Sequence, residues 1–365
     1  MWNMIASEKP TSEVELLELL NKELTAQLPD SWRIDMTPQP RYGRIRPDAV
    51  LTISAPDGTS AQILVEAKTT LNARDVPAAL SQLEAAAATQ TETAFGPPLL
   101  ASRYIAPRSR EMLAEAGASY MDATGNLRIV VDRPALYLRA DGASADPWRG
   151  PERETRTLRG HPAARVTRAL VDYKPPLGIR ELSKLSGASL GSTHRTVDFL
   201  DKEALIQRGQ RGAIVAVNWV DLLLRWSEDY SFQGSNQVHA ALEPRGLERV
   251  LEKLRDATVE YAVTGALNAR RVNQVASPQI AAIFTAKPGQ LSKELELHDG
   301  SSASNVLLAR PFDEVAFARA REVDGVRYAA LSQSAVDLLT GPGRDPAEGE
   351  ALIAWMQANE ADWRG

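Results

Sequence analysis

Residues 47–68 constrain the fold of this chain more than any other stretch, because they read as a hairpin whose open end carries charge. Pro47-Asp48-Ala49-Val50-Leu51-Thr52-Ile53 has the composition of a strand, and Pro56-Asp57-Gly58-Thr59 is a turn signal. Ala61-Gln62-Ile63-Leu64-Val65-Glu66-Ala67-Lys68 reads as the returning strand. With the turn centred between Asp57 and Gly58, antiparallel partners have numbers that sum to 115, and Asp48 falls opposite Ala67, beside Glu66 and Lys68. Alternation puts Glu66 and Lys68 on one face of their strand. Two carboxylates and one ammonium then meet at the end of the hairpin, a set suited to holding a hard divalent cation against a phosphodiester. An ordinary solvated salt-bridge cluster at a sheet edge uses the same letters.

The flanks extend the pattern. Ser12-Glu13-Val14-Glu15 is a capping-box start, followed by an apolar helical stripe at Leu17, Leu20, Leu24 and Leu28. A helix is expected over 73–89, a strand over 98–102 and a helix over 108–116. Helix, strands, helix, strand, helix around Pro-Asp and Glu-x-Lys resembles the PD-(D/E)xK restriction-endonuclease-like superfamily. That resemblance implies that Asp48 and Glu66 bind Mg²⁺, that Lys68 stabilises charge on the attacked phosphate or positions water, and that Gln82 stands where some members carry an auxiliary glutamine. Glu15 or Glu18 is either a further helical carboxylate or a solvated surface residue. Asp122-Ala123-Thr124-Gly125-Asn126 reads as a tight turn launching a strand over 127–131, with another strand at 135–139.

The totals bound the rest. A chain of 365 residues, 44% apolar and 24% charged, has the length and composition of two or three ordinary globular domains. It has no cysteine, hence no disulfide and no thiolate metal site. Met1 to Glu8 lack a basic region and an apolar core, and no apolar run is long enough to span a bilayer, so a cytoplasmic protein without membrane contact is expected. The net charge of −5 hides an asymmetry. Between Arg149 and Arg211 there are 13 Lys/Arg and 7 Asp/Glu, a net of +6 that leaves −11 elsewhere. A basic segment in an acidic protein is the electrostatic footprint of one nucleic-acid-contacting module.

That segment has its own local pattern. Residues 146–162 read as a linker, in a Gly-, Pro- and Arg-rich stretch containing Arg149, Arg153, Arg156 and Arg159. Within 163–232, an amphipathic helix over 163–173, a short one over 179–187 and a third from Ser189 precede a basic, glycine-containing tip over 207–212. Three helices and a two-stranded wing resemble the winged helix-turn-helix domains of bacterial regulators. Ser189, Ser192, Thr193, Arg195 and Thr196 supply the short donors and the arginine that a major-groove helix needs, while Arg208 and Arg211 on the wing suit phosphate or the minor groove. A protein-interaction role is the alternative for such a module.

Residues 244–365 read as a third, α/β part. Tyr261-Ala262-Val263-Thr264-Gly265-Ala266, the strand Asn305-Val306-Leu307-Leu308 and the helix Gln333-Ser334-Ala335-Val336-Asp337-Leu338-Leu339 resemble the C-terminal part of AbiEi-type antitoxins and regulators, which implies a toxin protein as partner. The same strand-Thr-Gly start occurs in nucleotidyltransferases. Ile280-Ala281-Ala282-Ile283-Phe284 carries none of the spaced carboxylates that chemistry requires. No His-Glu-x-x-His, phosphate-binding loop or nucleophile elbow occurs, and Trp219, Trp226 and Trp355 read as core.

The sequence thus points to a multidomain α/β protein over 1–145, 163–232 and 244–365: a restriction-endonuclease-like domain, a winged helix and an antitoxin-like domain. The leading expectation is a regulator that binds double-stranded DNA. The rival is a Mg²⁺-dependent endonuclease targeted by its winged helix, and the third reading is a toxin-masking interaction protein. A homodimer is compatible with all three.

Overall fold

The computed structural model describes residues 9–40, 46–89, 94–148, 157–273, 276–300 and 304–365. It divides into two compact α/β units: Met1–Arg153 together with Lys202–Ala204, and Glu154–Asp201 with Leu205–Gly365.

The first unit runs α1 (Glu13–Gln27), β1 (Arg33–Pro38), β2 (Ala49–Ser54), β3 (Ser60–Lys68), α2 (Val76–Ala88), β4 (Leu99–Ser102), α3 (Pro107–Glu115), β5 (Ser119–Asp122), β6 (Leu127–Val131) and β7 (Leu136–Ala140). Its seven strands form one sheet in sequence order. β1 to β3 are antiparallel, β3 to β5 parallel, and β5 to β7 antiparallel again. The parallel steps require crossover connections, which α2 and α3 supply. Leu16, Leu20 and Leu24 of α1 pack on one sheet face with Leu51, Ile63 and Val65, and Val76, Leu83 and Leu113 pack on the other with Val50, Leu64 and Leu100. Residues 73–75, expected as the first turn of α2, form a separate 3₁₀ turn, because Pro77 sits in the first turn of the α-helix proper, where its missing N–H costs nothing.

The second unit contains α4 (His161–Asp172), α5 (Ile179–Ser186), α6 (Leu190–Lys202), β8 (Ile206–Arg208), β9 (Ile214–Val217), α7 (Trp219–Ser227), α8 (Phe232–Ser235) and β10 (Gln237–Leu242). These are followed by α9 (Leu247–Leu254), β11 (Ala262–Thr264), α10 (Ala266–Ala269), β12 (Ala281–Phe284), α11 (Pro288–Glu294), β13 (His298–Asp299) and β14 (Val306–Arg310). β15 (Arg321–Val323), β16 (Val326–Tyr328), α12 (Leu331–Leu339), α13 (Asp345–Ala358) and α14 (Glu360–Trp363) complete it. β8 and β9 pair alone, and the other seven strands form a mixed sheet ordered β13-β10-β14-β12-β11-β16-β15.

The segments expected to be separate, 163–232 and 244–365, share one core. Val166, Leu170, Leu223 and Trp226 pack with Val336, Leu352, Met356 and Trp363. A buried polar network crosses the same boundary. Arg168, 1% exposed, donates to Asp172 Oδ2 at 2.9 Å and Gln333 Oε1 at 2.6 Å. Gln333 Nε2, the Tyr230 hydroxyl and the Thr264 hydroxyl donate in turn to the Asp337 carboxylate at 2.9, 2.7 and 2.6 Å.

Burial pushes the Asp337 carboxyl up to about 6, against the pull of its three donors. The folded chain then holds this proton more tightly than the unfolded one, so the stability linked to it is full below about pH 4 and is lost as pH rises through about 6. In urea titrations between pH 4 and 7, the native chain is expected to lose up to roughly 3 kcal/mol relative to Asp337→Asn. Parallel pH profiles for the two proteins would contradict this.

Candidate functional site

The β2–β3 hairpin sets the geometry of the carboxylate site. Its loop is three residues long, not two. Ala55 N donates to Thr59 O at 2.8 Å, Gly58 N donates to Ala55 O at 3.1 Å, and Asp57 Oδ1 accepts from Thr59 N at 2.9 Å. Gly58 takes the left-handed conformation (φ +86°) that closes such a loop. Partners therefore run Ser54↔Ser60 to Ala49↔Val65, numbers that sum to 114, which corrects the expected register by one. Asp48, just past the ladder, is not opposite Ala67 but level with Val65 and Glu66. Its N–H donates to Val65 O at 3.0 Å, and its Oδ2 accepts from Ala67 N at 2.7 Å.

The three charged groups do come together. Lys68 Nζ lies 3.0 Å from Glu66 Oε1, with the Glu66 side chain 9% exposed and that of Lys68 34%. Burial pushes the Glu66 carboxyl above its ordinary value, and the nearby Asp48 adds to this while Lys68 opposes it. Burial works against the Lys68 charge, but the Glu66 hydrogen bond and the fields of Glu66, Asp48 and Glu13 hold its pKa above the usual lysine value. The exposed Glu13, the first residue of α1, adds a smaller field that raises both groups. Glu15 instead accepts from Thr11 N and Oγ1, both at 2.8 Å, and Glu18 is exposed. Gln82 is exposed on α2.

The donor set fits Mg²⁺, which is held through one or two carboxylates and keeps several waters. Asp48 Oδ1 and Glu66 Oε2 are the oxygens not taken by Ala67 N or Lys68. Among the described residues no group of three or more His, Cys, Asp or Glu side chains is placed to hold a metal ion.

Lys68, Ser102 and Asp122 stand in register at the ends of the parallel strands β3, β4 and β5. Asp122 is fully buried and accepts from Thr124 N and Oγ1, Asn126 N and Nδ2, and Ile105 N. Gly142 closes over this turn. A Cβ there would meet Thr124 O at 2.2 Å. The Asp122 to Asn126 segment is a satisfied structural turn, not part of the charged cluster.

In the second unit α4, α5 and α6 pack through Val166, Leu170, Leu182, Val197 and Leu200, and the β8–β9 hairpin joins them through Ile206 and Ile214. Leu177 and Ile214 exchange backbone hydrogen bonds at 2.9 Å, which ties the approach to α5 to the hairpin. Ser189, His194 and Arg195 are exposed, Ser192 is partly so, and Arg195 Nη2 donates to Ser192 Oγ at 3.0 Å. Thr193 and Thr196 are corrections. At 0% and 2% exposure they cannot touch a base. They share the inward stripe of Val197 and Leu200, at the i, i+3, i+4, i+7 spacing of a buried helix face. Arg208 is closely paired with Asp198, which neutralises it, whereas Arg211 is exposed at the tip. Arg180 and Lys184 on α5 are also exposed and add cations that sequence reasoning did not single out. Arg149, Arg153 and Arg156 lie outside the described residues, and Arg159 Nε is 3.5 Å from Asp229.

No family model, no curated protein and no solved structure matches this chain. Among the described residues no helix is long and apolar enough to cross a membrane.

Proposed function

We propose that this protein binds double-stranded DNA through α6 and the β8–β9 hairpin and acts as a transcriptional regulator. The supporting observation is the outward face of α6. Ser192 and Arg195 project from a helix whose other side is locked into the core, Ser189 stands just before it with its hydroxyl bonded to Ser192, and Arg211 on the hairpin and Arg180 and Lys184 on α5 are further exposed cations. Short donors with one arginine suit the base edges of the major groove, and the surrounding cations suit phosphate. The likeness to winged helix-turn-helix domains points the same way, and the likeness of the C-terminal segment to AbiEi-type proteins suggests a toxin protein as a second partner.

Arg195→Ala is expected to weaken DNA binding roughly tenfold to a hundredfold without moving the melting temperature. Fluorescence anisotropy with a duplex library provides the check. Unchanged affinity in this variant sinks the assignment of α6, and an affinity lost only together with the fold does the same.

A second reading rests on Asp48, Glu66 and Lys68. In it the protein is a Mg²⁺-dependent endonuclease, with Asp48 and Glu66 holding the ion and Lys68 placed beside the phosphate. A bound Mg²⁺ would polarise the phosphoryl oxygen and lower the pKa of a bound water. The chain's own part is to keep two carboxylates close together in a half-buried site, and the Lys68 ammonium charged.

A further inference from the structure

The second unit contains a cavity of about 220 Å³ that DNA binding does not use. Its apolar wall mixes the aliphatic Val272, Val323 and Leu331 with the aromatic Tyr328, Trp355 and Trp363, and three arginines line it: Arg271, Arg319 and Arg321. Among the described residues all three are held by neutral partners. The Arg271 guanidinium lies 4.2 Å from the Tyr328 ring centroid and donates to Asn268 Oδ1 at 3.1 Å. Arg319 stacks 4.8 Å above Tyr173 and donates to the Asp172 and Trp363 carbonyls. Arg321 reaches the Asp362 carbonyl at 3.4 Å. Two acids also border the cavity. The Asp172 carboxylate is already engaged by Arg168 and Ser332, and Asp362 is exposed. Even with Asp362 set against Arg321, Arg271 and Arg319 leave a surplus of positive charge beside a hollow with three aromatic side chains in its apolar wall.

We propose that this cavity binds a small planar anion, an aromatic ring carrying a carboxylate or a phosphate. Flat rings suit walls of tryptophan and tyrosine, and guanidinium groups without carboxylate partners suit an oxyanion. The volume lies below the roughly 300–1,000 Å³ of sites for drug-sized ligands, which argues for a ligand smaller than a dinucleotide. Asp172 ends α4, so an occupant touches the first helix of the α4–α6 segment.

The test is isothermal titration calorimetry of the full chain with three probes: salicylate, adenosine 5′-monophosphate, and salicylamide as the neutral counterpart of the first. At least one anion is expected to bind saturably, with salicylamide at least tenfold weaker than salicylate if the carboxylate is preferred. The Arg271→Ala/Arg321→Ala variant, both positions being exposed, is expected to lose at least tenfold in affinity for that anion while keeping its melting temperature. Arg321→Ala alone serves if the double variant melts early, and is expected to lose severalfold. Binding of salicylate alone assigns a carboxylate, and binding of the nucleotide alone assigns a phosphate. Failure of both anions to bind at millimolar concentration overturns the proposal. So does an affinity that the arginine variants leave unchanged, or salicylamide binding as tightly as salicylate.

Discussion

Arg168→Ala is expected to destabilise the second unit by about 3–5 kcal/mol. Arg168 is 1% exposed and carries a charge that Asp172 balances at 2.9 Å, while Nη1 donates to Gln333 Oε1 and the Val315 carbonyl and Nη2 to the Ala318 carbonyl, Nε having no partner among the described residues. Truncation removes the cation and leaves the Asp172 carboxylate, on a residue 3% exposed, with the Ser332 hydroxyl but without its ion-pair partner, Arg319 reaching only the Asp172 backbone carbonyl. A buried carboxylate in that position must stay desolvated or take up a proton, and either is costly. The double change Arg168→Met/Asp172→Leu removes both charges and is expected to lose much less, because a buried ion pair returns little net stability over apolar residues of similar volume. Urea unfolding followed by circular dichroism measures both. A loss under 1 kcal/mol for Arg168→Ala would mean that water or another group satisfies Asp172, and that the network does not join α4 to α12 as described.

The second large effect belongs to the nuclease reading. Asp48→Asn is expected to reduce Mg²⁺-dependent plasmid cleavage at least about a hundredfold, as is Lys68→Ala. Asparagine is the sharper probe at position 48, because its Oδ1 can still accept from Ala67 N and hold the strand end. Only the charge is lost. That loss also removes a like charge beside Glu66, so the Glu66 carboxyl should move back down toward its ordinary value. The measurement is nicking of supercoiled DNA with Mg²⁺, with Mn²⁺ and with EDTA. Cleavage of equal rate in wild type and variant points to a contaminating nuclease. No cleavage by the wild type removes the nuclease reading and leaves the first unit a scaffold or sensor beside an intact DNA-binding proposal.

Much of the fold was legible because its signals are local. The alternating strand residues around Pro56-Asp57-Gly58 mark the β2–β3 hairpin, and α2, α3 and the helices before the β8–β9 hairpin follow apolar periodicity and glycine stops. What was missed needed information that single segments do not carry. The turn signal does not state loop length, and a glycine closing a three-residue loop moves every partner by one. β5 is four residues buried throughout, so it shows no alternating pattern, whereas β1 does alternate, with Ile34 and Met36 packed against the core, and its signal was there to be read. Thr193 and Thr196 have the chemistry of groove contacts, but their phase on α6 points them inward. The core joining α4 and α7 to α12 and α13 spans more than 160 residues of chain, which no local pattern reports.

The most direct test of the DNA-binding proposal is an anisotropy titration of the wild-type chain against a labelled duplex at 50 and 200 mM salt. Saturable binding that weakens steeply with salt is the predicted result, as expected when Arg195, Arg211, Arg180 and Lys184 displace counterions from phosphate. No binding at the lower salt, or binding that salt leaves unchanged, would contradict it.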